Sequence, residues 1–507
     1  MQTKNDRQLK LGAALSYASM IIGYVVQIAY TPLMIRIIGQ VQYGVYNLTN
    51  SIVSYLSLFS AAFAPAYVRF YMRHKVKDGQ RAIARMNGMF MLVFILLGFL
   101  TVVCGVFLVK DTNAILGSKF ARSELKLAKF LMLLMVFNIA ISFPLIPVVS
   151  FIQANERFVF QNGLNIIRQI LNPFLSLPLL LMGFGSIGMV AATTIISMII
   201  SIWQIFFAVK VLKFDMDFKE LDFQELKDVT VFSSYIFLNA VTDQINWNAD
   251  KFIVGRFQGA IAVAVYGIAA QLNSYYLNLS TAISSVFIPR VNRLVAEAHD
   301  DLSLELTNIF IKIGRLQFMI IGFILSEIIV VGREFLGFWA GHDYYNAYPI
   351  LLILVIPVTI PLIQNVGIAI QQAMNFHVFR SLLYFFIALA NIGLSIILVR
   401  FYGGVGAASA TAMALIIGNG FLMNWYYQAK IHLDVVKFWK TMAKNFPSII
   451  GSVCVGFAIK SVINSYAILG FLMVALSVAF IYFSILFIFV LSSDERQIVK
   501  NKVSRHG

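Results

Sequence analysis

Charge is scarce in this chain: Asp, Glu, Lys and Arg together make up 12% of its 507 residues. A soluble protein of that length needs a far more charged surface, so a water-exposed globule is excluded. Cysteine is nearly absent. Cys104 and Cys454 lie in separate apolar runs, which rules out a disulfide framework. The six histidines, His74 and His377 among them, show no metal-ligand spacing. There is no Walker-type G-x-x-x-x-G-K-S/T, so the chain carries no P-loop ATPase of its own. Gly183-Phe-Gly-Ser-Ile-Gly188 matches the dinucleotide fingerprint only formally, because it follows an apolar helix rather than a strand. Asn47-Leu-Thr49 and Asn278-Leu-Ser280 have glycosylation spacing but fall inside apolar spans. No nucleophile motif is present, and the chain is not expected to be an enzyme. Its first apolar run, from near Leu9 to Ile38, is too long for a removable signal peptide.

What fills the chain is hydrocarbon. Apolar residues make up 60% of it, and the mean hydropathy is +0.82. The apolar runs predict an all-α polytopic membrane protein of about fourteen transmembrane helices, at roughly 20 residues per crossing. The net charge of +16 invites a nucleic-acid reading. The bases form no stripe, however. They punctuate the gaps between apolar runs, as membrane topology requires. With the N-terminus in the cytoplasm, Lys4, Arg7 and Lys10, Arg69 to Arg85, Lys210 to Lys227, Lys430 to Lys444 and Arg496 to Arg505 all fall at inner ends. The outer turns at Gly39, Gly183 and Ala467 are nearly uncharged. Both termini are therefore expected to be cytoplasmic.

The chain also repeats itself. Phe143-Pro-Leu-Ile146, Gln153-Ala-Asn155, Leu171-Asn-Pro-Phe-Leu-Ser176 and Gly183-Phe-Gly-Ser186 return as Ile360-Pro-Leu-Ile363, Gln372-Ala-Met374, Ala390-Asn-Ile-Gly-Leu-Ser395 and Gly403-Gly-Val-Gly406. This predicts an N-terminal lobe at 1–213 (spans one to six) and a C-terminal lobe at 214–430 (spans seven to twelve). Residues 431–507 then hold two additional helices and a basic cytoplasmic tail. Six spans is an even number, so both copies insert the same way round, with the expected site between them.

Polar groups inside the spans are the candidate functional residues. A charge at mid-bilayer costs at least ~2.5–3.5 kcal/mol and needs a reason. In span seven, Asn239, Asp243, Asn246 and Asp250 are four, three and four residues apart, which places them on one helix face. One reading is a stripe that binds Na+ or H+ as coupling ion. The other is a packing stripe, with Asp250 neutralised by Lys251 or Arg36. Asn391, Ser395 and Thr411 supply neutral oxygens that suit a Na+ site or interhelical hydrogen bonds. Asn47, Asn50, Ser51, Ser54 and Ser57 of span two, and Gln271, Ser274, Asn278, Thr281 and Ser285 of span eight, read as walls of a wet cavity. Arg168 lies eleven residues beyond Arg157, about 16 Å of helix and deep for snorkelling. A guanidinium there suits a phosphate or diphosphate, or else a salt bridge. Arg36 and Arg256 at outer ends, and Arg69 and Arg290 at inner ends, read as interfacial anchors, some of them lining the substrate path.

Two six-helix repeats with two extra helices, Asp250-Lys-Phe-Ile-Val-Gly255 in span seven and Ala264-Val-Tyr-Gly267 opening span eight make up a pattern that resembles the MOP superfamily. Within it the chain is most similar to the oligosaccharide flippases that move O-antigen and other polysaccharide repeat units. The resemblance implies a multi-pass bacterial inner-membrane protein with two lobes and alternating access. It implies an undecaprenyl-diphosphate-linked oligosaccharide as substrate and the polysaccharide polymerase or ligase machinery as partners. A monomer is expected, with no cofactor beyond Na+ or H+. The related lipid II flippases place Na+ in the second lobe. Asp250, Asn391 and Thr411 match parts of that site, whereas Ser395 stands where a second carboxylate is expected. Three rivals remain. A multidrug or metabolite exporter of the same superfamily suits the acidic stripe but is opposed by Arg168 and Arg36. A membrane glycosyltransferase or polymerase is opposed by the short outer loops. A scaffold without transport is opposed by the intramembrane charges.

Overall fold

A computed structural model describes residues 2–219, 222–297, 302–491 and 496. Among the described residues every regular element is helical. Hydrocarbon offers no partner to an open backbone N–H or C=O, so runs this apolar must close their hydrogen bonds within one helix. The chain forms two compact units, the first ending at Ala264 and the second starting at Val265.

The first unit contains α1 (Gln2–Val53), α2 (Leu58–Lys77), α3 (Gly79–Lys110), the short α4 (Thr112–Leu116), α5 (Arg122–Ser142), α6 (Ile146–Ala154), α7 (Phe158–Leu181), α8 (Gly185–Phe206) and α9 (Phe223–Gln258). The next helix, α10 (Ala260–Ser285), begins in it. α1 is two helices joined at a kink at Gly39, where φ is 73° and ψ is 169°. A side chain disfavours that backbone, so glycine marks where one apolar run becomes two.

α7 packs along α1 through a polar seam. Asn162 Nδ2 donates to Ser16 Oγ (2.7 Å), Gln169 Nε2 to Ser19 Oγ (3.3 Å) and Ser176 Oγ to Tyr30 Oη (2.7 Å). The three α7 residues are seven apart, two helical turns, and so stack on one face. The core of this unit is aromatic: Tyr67, Phe90, Phe94, Phe143 and Phe151 are buried together. Tyr67 donates its hydroxyl to Asn87 Oδ1 at 2.6 Å, and Asn87 Nδ2 donates to the Asp215 carbonyl at 2.8 Å. The segment after α8 is thereby docked on α3.

Gly44 marks a close backbone approach. A Cβ there would lie 1.9 Å from the Ala260 carbonyl oxygen, which cannot swing away. Gly44→Val is therefore expected to prevent α1 from seating against the start of α10, with loss of monodisperse protein in detergent. Overpacking of this kind costs about 1–3 kcal/mol or more. At Gly163 a Cβ meets nothing within 4 Å, and Gly163→Ala serves as the tolerated control, expected to stay monodisperse in the same detergent.

The second unit contains the rest of α10, α11 (Ile288–Glu297), α12 (Leu302–Trp339), α13 (Ala347–Ile363), α14 (Asn365–Ala373), α15 (His377–Leu415), α16 (Asn424–Ala429), α17 (Val435–Ala443), α18 (Phe446–Val462) and α19 (Ile468–Ile485). The 38-residue α12 packs against α13, α17, α18 and α19. Buried polar pairs pin it to α10. Gln317 Nε2 donates to Ser280 (3.0 Å), and Tyr276 Oη donates to the Ile321 carbonyl at 3.2 Å and lies 2.8 Å from Thr359 Oγ1. α15 breaks at Gly403, with φ 57° and ψ −138°.

Ten helical runs among the described residues are long and apolar enough to cross a membrane, or eleven if α13 and α14, bent by 41°, form one span. Two of the ten, Ala14–Lys77 and Val378–Ala429, run for 64 and 52 residues and contain the breaks at Gly39 and Gly403. A crossing takes roughly 20 residues, so each is long enough for two. α9, expected to be span seven, is missing from the ten because polar residues interrupt it. The number of crossings therefore depends on how broken and polar runs are divided, which hydropathy alone does not decide.

Candidate functional site

Several spans of the first unit carry polar side chains at one-turn or two-turn spacing: Asn138 and Ser142 on α5, Ser150 and Gln153 on α6, Gln161 and Arg168 on α7, and Ser197, Ser201 and Gln204 on α8. Each set falls on one face of its helix. With Ser60 of α2 these faces converge on a cavity of about 510 Å³, whose apolar patches are Ala61, Ala64, Leu145, Ile146 and Val149. A second, small cavity of about 20 Å³ shares Asn138, Ser142, Leu145, Ser197 and Ser201 with it and is also lined by Ile141 and Met198, beside the hydrogen bond from Asn138 Nδ2 to Thr194 Oγ1 (3.0 Å).

Arg168 is the one charged side chain among the described residues lining this cavity. Its Nε is buried and has no hydrogen-bond partner. Among the described residues no salt bridge reaches its guanidinium, so the structure provides no acid for the salt-bridge reading. Gln161 Oε1, on the same wall, is likewise buried and unpartnered. An unpaired cation in a span is expensive. A carboxylate or phosphate brought to it would relieve that cost through two parallel charge-assisted hydrogen bonds. The arrangement is suited to an anion carried by a hydroxyl-rich group. It is unsuited to a cation.

The cation-coupling candidates fall into two groups. In the second unit, Asn391 Nδ2 donates to Thr411 Oγ1 at 3.2 Å and Ser395 Oγ to Asn391 Oδ1 at 3.4 Å, with all three residues buried. Their oxygens are hard donors that fit Na+. They are also bonded to one another, so an ion there would replace hydrogen bonds rather than fill a gap. In the first unit, Asp250 is 4% exposed, Asn246 is half-buried and Asp243 is exposed. Both carboxylates have polar or electrostatic partners. Among the described residues no three His, Cys, Asp or Glu side chains gather as a metal site.

A family model described as "Polysaccharide biosynthesis protein" matches residues 9–295. The chain belongs to this polysaccharide biosynthesis family. No curated protein sequence gives a significant match. The fold is shared with solved membrane transporters. A lipid II flippase, MurJ, in an inward closed conformation superposes with a TM-score of 0.72 at 18% identity, over 94% of this chain and 98% of MurJ. The MATE multidrug transporter DinF-BH gives 0.60 at 16% identity, over 83% and 96%. An inward-facing multidrug resistance MATE transporter of the MOP superfamily gives 0.55 at 14%, over 82% and 99%. At these identities the likeness concerns the fold alone.

In this family member the other arginines do not line the cavity. The Arg69 guanidinium lies 4.4 Å from the Phe232 ring centroid, a cation–π contact between α2 and α9. Arg256 is exposed and lies over Gly117, at the end of α4. Arg36 and Arg290 are exposed. Of the expected span-two wall, Asn47 Nδ2 bonds the Tyr43 carbonyl (3.0 Å), Ser51 the Leu48 carbonyl (2.8 Å), Ser54 the Ser51 carbonyl (2.8 Å) and Ser57 the Ser54 carbonyl (2.7 Å). These bonds are local to the chain itself, and Ser54 Oγ in addition accepts from Gln244 of α9. Asn50 is exposed. On α10, Ser274, Asn278, Thr281 and Ser285 form an exposed stripe, while half-buried Gln271 donates to Tyr275 Oη at 2.7 Å. The cavity residues Asn138, Ser142, Ser150, Ser197, Ser201 and Gln204 were not singled out from the sequence. Their signal was the same i, i+3/i+4 spacing that marked α9 and α10.

Proposed function

We propose that this chain is a flippase that carries an undecaprenyl-diphosphate-linked oligosaccharide repeat unit from the cytoplasmic to the outer leaflet of the bacterial inner membrane. Alternating access moves it, and the product feeds O-antigen or another cell-surface polysaccharide. The observation that carries this reading is the first-unit cavity, whose described lining residues offer hydroxyls and amides, one free guanidinium and no carboxylate. An anionic sugar headgroup needs such a wet, polar chamber to cross hydrocarbon, while its polyprenyl tail stays in lipid. Membership of a polysaccharide biosynthesis family and a fold shared with a lipid II flippase support the same reading. The exporter reading draws on Asp243 and Asp250, but its cationic cargo would be repelled by Arg168.

The test is flipping by the purified chain in proteoliposomes, scored with undecaprenyl-diphosphate oligosaccharide and, separately, with a cationic dye. Lipid flipping without dye transport is expected, and dye transport without flipping would give the protein to the exporter branch. Asp250 is buried in α9 beside further polar residues, and we propose that it couples transport to a Na+ or H+ gradient. Asp250→Asn is then expected to remove the acceleration by an imposed gradient while downhill flipping continues. An equal response to the gradient in wild type and variant would remove Asp250 from coupling.

A further inference from the structure

We infer that the first-unit cavity receives a singly charged acidic sugar of the transported headgroup, and that Arg168 pairs with its carboxylate rather than with the diphosphate linker. This inference rests on the flippase reading above.

Charge balance is the first argument. Arg168 is the one cation among the described lining residues. A diphosphate bridging lipid and sugar carries two negative charges. One guanidinium can pair with one of these charges and leaves the second without a cation among the described lining residues. A uronate-type carboxylate carries one charge, and its two oxygens match the guanidinium fork.

Position is the second argument. Gln161 and Arg168 are seven residues apart on one face of α7, about 10 Å along the helix at ~1.5 Å per residue. Gln161 Oε1 is a buried acceptor without a donor, and Arg168 Nε is a buried donor without an acceptor. The two open valences are complementary to a ligand with a hydroxyl at one end and an acid at the other. The same lining includes Ser150, Ser197, Ser201 and Gln204, neutral hydrogen-bonding groups that bring no further charge. A glycan carrying one acid satisfies both ends.

The experiment uses the full chain in proteoliposomes and two undecaprenyl-diphosphate-linked glycans that differ at one sugar, glucuronate in one and glucose in the other. Wild type is expected to flip the acidic glycan about tenfold faster, the equivalent of ~1.4 kcal/mol. In Arg168→Gln the ratio of the two rates is expected to fall to near one. Arg168→Lys, which keeps the charge without the fork, is expected to retain part of the preference and serves as the check on folding. If wild type moves both glycans at one rate, or if Arg168→Gln slows both by the same factor while Arg168→Lys stays active, the carboxylate assignment is overturned and the flippase reading stands. If wild type moves neither glycan, the flippase reading falls and the inference falls with it.

Discussion

Replacing Lys460 with methionine is expected to destabilise the second unit by about 3–5 kcal/mol, the usual consequence of stripping a buried carboxylate of its cation. Glu334 is 2% exposed on α12. Lys460 of α18 reaches it with Nζ at 2.8 and 2.9 Å from the two carboxylate oxygens, and also donates to the Val330 carbonyl at 2.7 Å. Ser465 Oγ adds a hydrogen bond to the same carboxylate at 3.2 Å. The surroundings are apolar, since Val330, Val331, Val474 and Val478 form a buried cluster beside it. With Lys460 gone, Glu334 must take up a proton or pull α18 away from α12. The double replacement Glu334→Leu with Lys460→Met removes both charges and is expected to recover most of the loss, because an apolar pair of similar volume avoids desolvation. Thermal unfolding in detergent of the two single variants and the double variant measures this directly. Additive losses in the double variant would mean that the pair does not hold α18 in place.

How much of this was legible in the sequence depended on how many residues of one helix carried the signal. The all-helical class followed from apolar runs of bilayer length. Glycine at an expected outer turn became a true backbone break at Gly39 and at Gly403. The α9 stripe stood out because four polar residues shared one span. The cavity did not, because five helices each contribute one to three polar residues and no single span is conspicuous. Helical spacing tells which residues share a face. It does not tell whether that face meets a cavity, a neighbouring helix or its own backbone. The span-two serines illustrate the difference: their periodicity suggested a wall, yet they bond the carbonyls one turn back. The Glu334–Lys460 pair, 126 residues apart, left no local trace. Arg168 was readable because a deep arginine is rare at any position in a span. What the sequence left open was its partner, and the structure offers none among the described residues.

Arg168→Glu is expected to have the largest effect on transport, lowering the flipping of an anionic lipid-linked glycan by about 100-fold or more. Two contributions add. The charge-assisted bonds of the guanidinium disappear, at roughly 1.5–3 kcal/mol. A carboxylate then faces an anionic headgroup, and like charges brought together cost several kcal/mol. Each ~1.4 kcal/mol is a factor of ten, so the sum passes two orders of magnitude. The reversal also separates the two transport readings. In an exporter for cations, Arg168→Glu would remove a repulsive charge from a polar chamber and raise cationic dye transport. In a flippase for acidic glycans, dye transport stays absent and lipid flipping collapses. Arg168 has no salt bridge to lose among the described residues, and the described cavity lining is otherwise uncharged and mostly polar, so the variant is expected to melt close to wild type. A folded Arg168→Glu protein that flips the acidic glycan at the wild-type rate would take the headgroup out of this cavity altogether, and with it the observation on which the transport assignment leans most.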